Sequence, residues 1–313
     1  MKIDINEFVQ KLYQEAKSED IYITNMFSMW LNKIKFSVSS ETYKFNKSHS
    51  TRLLNYFNEH NIIYISQLTN QTIYDYITFK QANNCKNSYI NKHILIIKQV
   101  LNYLVDEKLI NENPITVHKL PEKQPNIEII DEKDLIRIID YSNSNFNTSK
   151  RLLIYLLLET GIRRREISLI KRCNINLEDN YIFLEDTKNK KPGYIYFSNT
   201  TKELLKIELE NNPDYTYLFT SSNNPNEPIS VNSLQTIIQR LKNTLGLKHL
   251  HMHMFRHTFA NSILKNTNNL EITRKLLRHQ TFEMTKRYLH INEKELKENS
   301  ILNNPLTHLY KDE

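Results

Sequence analysis

The chain has 313 residues, enough for two domains that each bury a hydrophobic core. Hydrophobic residues make up 39% and charged residues 25%, a balance that excludes an intrinsically disordered chain. The formal net charge of +7, from 42 basic and 35 acidic residues, favours a polyanionic partner without requiring one.

The sequence predicts a cytoplasmic protein. Its two cysteines, Cys85 and Cys173, have neither metal-binding nor redox spacing, which indicates reduced thiols. The first residues, MKIDINE, mix acidic with apolar positions, unlike a secretory signal. The longest apolar run, 152–158, is too short to cross a bilayer, so we expect no membrane association.

After an N-terminal segment, residues 1–21, the pattern predicts a helical domain over residues 22–112. Ile94, Ile97, Leu101 and Leu104 are spaced three or four apart and therefore share one face of a helix. Lysines fall on the other faces. The pattern is typical of a small helical bundle with a basic, solvated exterior.

Three prolines then interrupt the helical periodicity in a polar stretch, which predicts a linker over residues 113–128. Asp131, followed three residues later by Asp134, has the pattern of a helix N-cap with a carboxylate in the first turn. A second domain is predicted over residues 129–291, and a charged tail over residues 292–313.

The second domain has a mixed pattern. A helix over residues 150–159 is predicted to end at Gly161, with a second helix starting near Arg163. Two β-branched and aromatic runs, 181–184 and 194–197, flank a turn and predict a β-hairpin. From residue 231 to 290 the pattern is helical again. The expected fold class is mainly α with a small β-sheet.

Two segments before residue 200 carry basic residues in special positions. A glycine between two helices, in a chain with 3 glycines, predicts a backbone turn that projects Arg163 from the next helix. Lys188, Lys190 and Lys191 occupy the predicted hairpin turn, where a lysine can reach a DNA phosphate. Either segment alone is also typical of a solvated surface.

Two further segments combine histidine with arginine or tyrosine. His253 and Arg256 share a helix face and together suit a phosphate, because arginine offers a planar fork and histidine can move a proton. His253 and His257 also share a face, which leaves a metal site as an alternative. His279 precedes Tyr288 by nine residues.

Taken together, these motifs resemble the tyrosine recombinase, or phage integrase, family, of the two-domain Xer-like type. The resemblance rests on Gly-Ile-Arg-x-x-Glu, a hairpin lysine, His-x-x-Arg-His-Thr-Phe-Ala, and Leu-x-His followed by the tyrosine, in that order. It spans residues 129–291, and the helical segment before it matches the family's core-binding domain in size and placement.

The resemblance implies a role for each matching residue: Tyr288 as the nucleophile, Arg163, Lys188, His253, Arg256 and His279 as catalytic residues, and Glu166 as a supporting acid. Lys190, Lys191 and Arg278 are candidate DNA contacts, and either lysine is an alternative to Lys188. The chain departs from the family pattern at Arg165, which replaces a small residue, at Met252, which replaces a common proline, and at Arg278, which replaces the glycine before the histidine.

The implied reaction breaks and rejoins DNA through a 3′-phosphotyrosyl link, without ATP, metal or another cofactor. The expected partners are double-stranded DNA and further copies of the chain, as a homotetramer on paired sites. The tail contains one apolar patch, Ile301, Leu302 and Leu306, which is a candidate for docking onto a neighbouring copy.

Three alternatives stay open at this stage. A type IB-like topoisomerase would keep the chemistry without the exchange of strands between sites. A catalytically silent DNA-binding regulator would keep only the binding surface. A metal-dependent nuclease would need a carboxylate cluster, and none occurs in these motifs.

Overall fold

The computed structural model describes residues 21–122, 127–185 and 192–288. The chain divides into two compact units, residues 1–124 and 125–313. The point of division lies within the predicted linker, residues 113–128, while the finer predicted domain bounds stay a prediction.

Helices build the described part of the first unit. Side-chain oxygens of Ser39 and Thr69 accept hydrogen bonds from the backbone N–H groups of Thr42 and Thr72, so the second and third helices begin at ordinary N-caps. The helices are α1 (Ile23–Ile34), α2 (Ser40–Glu59), α3 (Asn70–Ala82) and α4 (Asn87–Asp106).

Helix α4 supplies the centre of this unit's core. Its predicted apolar face, Ile94, Ile97, Leu101 and Leu104, is buried throughout, with no member more than 4% exposed. The face packs with aromatic residues of α1 and α2 in one hydrophobic cluster. Burial of this stripe therefore stabilises the packing of α4 against the other helices.

The start of the predicted linker packs onto the first unit. Ile115 and Val117 are buried in its core cluster. The Asn91 side chain pairs with both the N–H and the carbonyl of Leu120, at 2.8 and 2.9 Å. The prolines correctly predicted the end of helical structure there, but the two apolar residues two positions apart belong to the core.

The second unit opens with α5 (Glu132–Asn145), α6 (Thr148–Thr160) and α7 (Arg164–Ser168). As predicted, Asp131 caps α5: its Oδ1 accepts a hydrogen bond from the N–H of Asp134 at 2.8 Å. Helix α6 is apolar on most sides and forms the middle of the second core. Gly161 ends it in a left-handed conformation, φ 55°.

A three-stranded antiparallel sheet follows, in the order β1 (Ile175–Asn176), β2 (Tyr181–Leu184) and β3 (Gly193–Tyr196). The predicted hairpin is confirmed by the pairing of β2 with β3, in which Leu184 lies opposite Gly193. Strand β1 was not predicted, because two residues are too few to show an alternating pattern.

The remaining described helices are α8 (Asn199–Asn211), α9 (Val231–Leu245), α10 (Met252–Thr267), α11 (Leu270–Leu276) and α12 (Glu283–Lys286). The predicted helical stretch from 231 onward is interrupted by Gly246, Asn268 and Arg278, which have φ of 66°, 48° and 54°. These breaks turn one long pattern into separate helices, of which α10 packs against α6. Within the described residues, no helix is long and apolar enough to cross a membrane.

Candidate active site

The turn after α6 fixes the position of Arg163. A Cβ on Gly161 would lie 2.5 Å from Cδ1 of Phe259, so both the positive φ and the close ring require glycine. Arg163 is the N-cap of α7 and has extended backbone angles. As the sequence predicts, it projects from the start of this helix, and its side chain is 14% exposed beside Glu166.

Glu166 binds two arginines with one carboxylate. Its Oε1 accepts from Nη1 of Arg163 at 2.6 Å, and its Oε2 accepts from the Arg163 N–H at 3.1 Å and from Nη2 of Arg278 at 2.9 Å. Burial would raise the pKa of the Glu166 carboxyl, but Arg278 and Arg163 outweigh burial, so this pKa lies below its usual range. The carboxylate is therefore ionised and holds both guanidinium groups.

Arg278 lies inside the protein, with a side chain that is 12% exposed. Besides Glu166, its guanidinium donates to the carbonyl of Leu276 at 3.0 Å. Its own carbonyl accepts from Nη2 of Arg163 at 3.2 Å. The predicted contact between Arg278 and DNA stays a prediction; in this structure its guanidinium is bound to protein groups.

Arg256 is buried in α10 and joins two separate loops. Its guanidinium donates to the carbonyl of Gly161, which follows α6. It also donates to the carbonyl of Leu277, which follows α11 and precedes the loop that contains His279. Burial lowers the pKa of Arg256, and the charges of Arg163 and Arg278 lower it further. The residue thereby organises the site and leaves a positive charge in a nearly dry location.

His253 lies one turn before Arg256 on the same helix but is exposed. Its ring is stacked near that of His257, with centroids 6.1 Å apart. The predicted His253 and Arg256 pair thus has one member at the surface and one in the interior. A phosphate at the edge of the site would therefore contact His253 at the surface and Arg256 in the interior.

His279 follows Arg278 in the loop between α11 and α12 and is buried. Its Nδ1 lies 2.8 Å from Oγ1 of Thr285, and its carbonyl accepts from Nη1 of Arg274 at 2.9 Å. Burial and the surrounding arginines, Arg256 first, lower the pKa of His279 to about 3. The ring is therefore neutral at pH 7, with Nδ1 occupied and Nε2 as the nitrogen left for a ligand.

Tyr288 is 5% exposed, and its hydroxyl lies 2.8 Å from Nδ1 of His257. Burial lowers the pKa of His257 to about 4, so the ring is neutral and can accept the hydroxyl proton. Burial raises the pKa of Tyr288, and the charges of Arg256, Arg287 and Arg163 only partly offset this. Nucleophilic chemistry at this hydroxyl therefore needs a proton acceptor.

His257 is the residue that the sequence interpretation missed. It entered as a metal-binding alternative, one turn after His253, and as part of the family motif, without a catalytic role. The only signal in the sequence is its place in the family motif, directly after Arg256. The contact with Tyr288, however, spans 31 positions and depends on the path of the intervening loops.

The described part of the site has an excess of positive charge. Arg163, Arg256 and Arg278 lie around one carboxylate, Glu166, and each of these side chains is largely buried. Like charges in a low-dielectric interior are costly unless an anion joins them. The arrangement is therefore suited to a negatively charged substrate such as a phosphodiester.

Some predicted residues lie outside the described part of the chain: Lys188, Lys190, Lys191, the N-terminal segment up to residue 20 and the tail from residue 292, with Ile301, Leu302 and Leu306. The described ends of the lysine hairpin are Glu185 and Pro192. Among the residues that the structure does describe, no group of three or more His, Cys, Asp or Glu side chains could hold a metal ion.

Comparison with known families gives one matching model, the phage integrase family, over residues 128–295. The tyrosine recombinase XerC of Bacillus licheniformis is 28% identical over 230 residues, which cover 70% of this chain and 75% of that protein. A probable integrase/recombinase of Acholeplasma phage L2 is 31% identical over 63% of this chain and 71% of the phage protein.

Solved structures give the same fold. The Tn1549 transposon integrase in complex with transposon right end DNA matches with a TM-score of 0.73 at 14% identity, over 88% of this chain and 98% of that one. A lambda integrase dimer bound to a core site matches with a TM-score of 0.70 at 15% identity, over 84% and 97%. Together with the helices and the small sheet, these matches confirm the predicted fold class.

Proposed function

The chain belongs to the phage integrase family, and we propose that it is a site-specific tyrosine recombinase that acts on double-stranded DNA. The observation that carries this proposal is the contact between the Tyr288 hydroxyl and neutral His257, on the helix that also bears Arg256. A tyrosine next to a proton acceptor and several buried arginines suits nucleophilic attack on a phosphodiester.

In the proposed first step, the Tyr288 oxygen attacks the phosphorus of one strand and its proton passes to His257. The bond from phosphorus to the 5′ oxygen breaks, and a 3′-phosphotyrosyl ester forms. Because the new ester keeps the energy of the broken bond, attack by another strand's 5′ hydroxyl reverses the chemistry without ATP. No step requires a metal ion or another cofactor.

The non-bridging phosphate oxygens gain charge in the transition state, and the surrounding donors stabilise that charge. Arg163 and Arg256 supply guanidinium groups, and His253 donates from the exposed rim of α10. Nδ1 of His279 is occupied by the Thr285 hydroxyl, so Nε2 is the nitrogen assigned to the phosphate, and as a donor it carries the ring proton while Nδ1 accepts from Thr285. Glu166 acts only by holding Arg163.

The leaving 5′ oxygen needs a proton, and we assign its delivery to Lys188 of the hairpin. General acid catalysis of this kind contributes about 10²- to 10⁴-fold in rate. Lys190 and Lys191 are assigned to the phosphate backbone of the bound duplex. These assignments come from the family motif alone, because residues 186–191 lie outside the described chain.

Exchange of strands requires more than one active site, so we propose a homotetramer assembled on two paired DNA sites. The apolar patch of the tail, Ile301, Leu302 and Leu306, is the proposed contact between neighbouring copies. The excess of basic residues would attract the duplex, and we expect binding to weaken steeply with added salt.

The test is covalent trapping on a nicked suicide substrate made from the ends of the element that carries the gene. Wild type should form a protein–DNA adduct that resists SDS, Tyr288→Phe should form none, and Arg163→Ala should form far less. Tyr155→Phe is the matched control, since Tyr155 donates to Asn143 outside the site.

An adduct that persists in Tyr288→Phe would contradict the proposed nucleophile. Tight DNA binding without any adduct from wild type would contradict the recombinase proposal and favour a regulator. Relaxation of supercoiled DNA by single molecules, without exchange between two sites, would instead indicate a topoisomerase.

A further inference from the structure

Residue 278 occupies an unusual backbone position with an unusual side chain. Its φ of 54° is in the left-handed region, where glycine is the residue without steric cost. The chain nevertheless has arginine there, and the side chain turns inward instead of toward solvent. A strained backbone that carries a long buried cation indicates that the side chain has a role which offsets the strain.

The contacts of Arg278 reach three parts of the site. Its side chain shares the Glu166 carboxylate with Arg163, and its carbonyl accepts from Arg163. It directly precedes His279, whose position depends on the same loop. Its side chain also lies next to Gly193, the residue that begins β3. A Cβ added to Gly193 would be 2.8 Å from Cδ of Arg278.

Gly193 is best explained by this contact. The chain has 3 glycines, and the other two, Gly161 and Gly246, have positive φ, whereas Gly193 does not. Its backbone would therefore accept alanine, and the Arg278 side chain is the obstacle within 4 Å of the missing Cβ. Absence of a side chain at 193 makes room for Arg278 at the described base of the hairpin.

From these contacts, and resting on the proposed function, we propose that Arg278 is a positioning residue. It holds Arg163 through Glu166 and its own carbonyl, and it packs the base of the lysine hairpin against the His279 loop. Arg278 also draws on the negative charge of Glu166, which leaves more of the Arg163 charge for a phosphate. Arg278 thus acts through Arg163 and the hairpin, without touching DNA itself.

The first test separates DNA binding from cleavage. Arg278→Met keeps the strained backbone and the packing but removes the charge, while Arg278→Gly relieves the strain as well. Both should bind DNA within about threefold of wild type. Both should cleave the suicide substrate roughly 10- to 100-fold more slowly at saturating DNA, as expected when a reacting group is misplaced by about an ångström. Arg278→Lys should recover part of the rate.

Lys275→Met is the matched control. Lys275 is exposed and lies in the preceding helix, and its substitution removes the same charge as Arg278→Met. It should leave the cleavage rate near that of wild type. Weakened DNA binding by Arg278→Met with an unchanged rate at saturation would overturn the proposal and indicate a direct phosphate contact. Unchanged binding and unchanged cleavage would overturn it as well.

The second test is a double-mutant cycle between positions 193 and 278. Gly193→Ala should slow cleavage in the wild-type background, because its Cβ displaces Arg278, and should have no effect in the Arg278→Gly background. The same cycle in Tm needs no activity: Gly193→Ala should lower Tm only when Arg278 is present. Equal effects in both backgrounds would overturn the contact, whereas failure of wild type to form any adduct would contradict only the proposed function.

Discussion

The hydrogen bond between Tyr288 and His257 gives a prediction that distinguishes proton transfer from packing. Its length is 2.8 Å, and the pKa of His257 is lowered to about 4, so the ring stays neutral where an ordinary histidine gains a proton. His257→Phe removes the acceptor and should slow cleavage by about 10²-fold or more. His257→Asn, whose side-chain oxygen can replace Nδ1 as an acceptor, should retain DNA binding but regain little of the rate.

The same pKa fixes the pH dependence. His257 loses its function only when it is protonated, so the fall in cleavage rate that it causes should lie below about pH 5. Single-turnover rates measured from about pH 4 to about pH 8 would show this fall, with the exposed His251→Phe as a control. A wild-type rate from His257→Phe would exclude the proposed role.

At the residue scale, the sequence motif located the arginines and Tyr288 but left their surroundings open. That Glu166 lies between Arg163 and Arg278 could not be derived, because 112 positions separate the two ends of that ion pair. The positive φ at residue 278 could be predicted, since the family has glycine there. The inward direction of the Arg278 side chain could not be predicted. Pairings of this kind depend on how helices pack, which local patterns do not encode.

At the scale of helices and turns, the two left-handed glycines offer a matched comparison. Gly161→Ala places a Cβ 2.5 Å from the Phe259 ring, while the same change at Gly246 meets nothing within 4 Å. Both substitutions bear the left-handed cost of about 1–2 kcal/mol. Gly161→Ala should lose about 1–3 kcal/mol more from overpacking.

Urea unfolding followed by helical circular dichroism would measure both free energies. Equal losses would mean that the Phe259 ring moves away freely. We also expect Gly161→Ala to slow DNA cleavage, because the Gly161 carbonyl accepts from Arg256. The remote Gly246→Ala should cleave at the wild-type rate.

Helices α2, α3 and α4 meet at a buried network in the first unit. Nδ1 of His49 lies 2.7 Å from Nε2 of His93, and the Tyr76 hydroxyl binds the other nitrogen of His93. Burial lowers the pKa of His93 to about 3, and the charges of His49, Lys80 and Arg52 contribute. This depressed pKa makes folding pH-dependent, because the unfolded chain binds a proton that the folded chain excludes.

The network should stabilise the folded state less at low pH. Stability that is present above the unfolded pKa of 6.5 is lost as the pH falls toward the folded pKa, which amounts to about 2 kcal/mol between pH 7 and pH 5. Trp30, the single tryptophan and part of the same core, reports this unfolding by fluorescence. His93→Gln should flatten the slope, and the exposed His118→Gln should not. If the unfolding free energy of His93→Gln depended on pH as steeply as that of wild type, another group would be responsible for the effect.

The fold was predictable at this scale where a local pattern was strong. The apolar stripe of α4, the Asp131 cap and the hairpin all follow from spacing and turn residues. Strand β1 and the break at Asn268 do not, because a two-residue strand and a non-glycine residue with positive φ leave no clear signal. Tertiary packing determines them.

At the scale of the whole molecule, we expect deletion of the tail to affect the binding of a single DNA site and the pairing of two DNA sites differently. Residues 292–313 carry three lysines and five acidic residues, so their removal makes the rest of the chain more basic. Affinity for a single DNA site should therefore be retained or slightly increased, since duplex binding follows positive charge. Complexes that hold two sites should be lost if the tail joins neighbouring copies.

A more specific experiment changes only the apolar patch of the tail. Ile301→Ser with Leu302→Ser removes the proposed docking side chains, and Asn303→Ser with Asn304→Ser is the matched control in the next two positions. Sedimentation of each protein on one-site and two-site DNA should show four-copy complexes for wild type and the control, and smaller ones for the apolar variant. Cleavage of a suicide substrate by the apolar variant would show that its active site is intact, so the defect would lie in assembly. Four-copy complexes formed by the apolar variant would remove the tail from the assembly and direct the search for the interface to the surfaces of the two units.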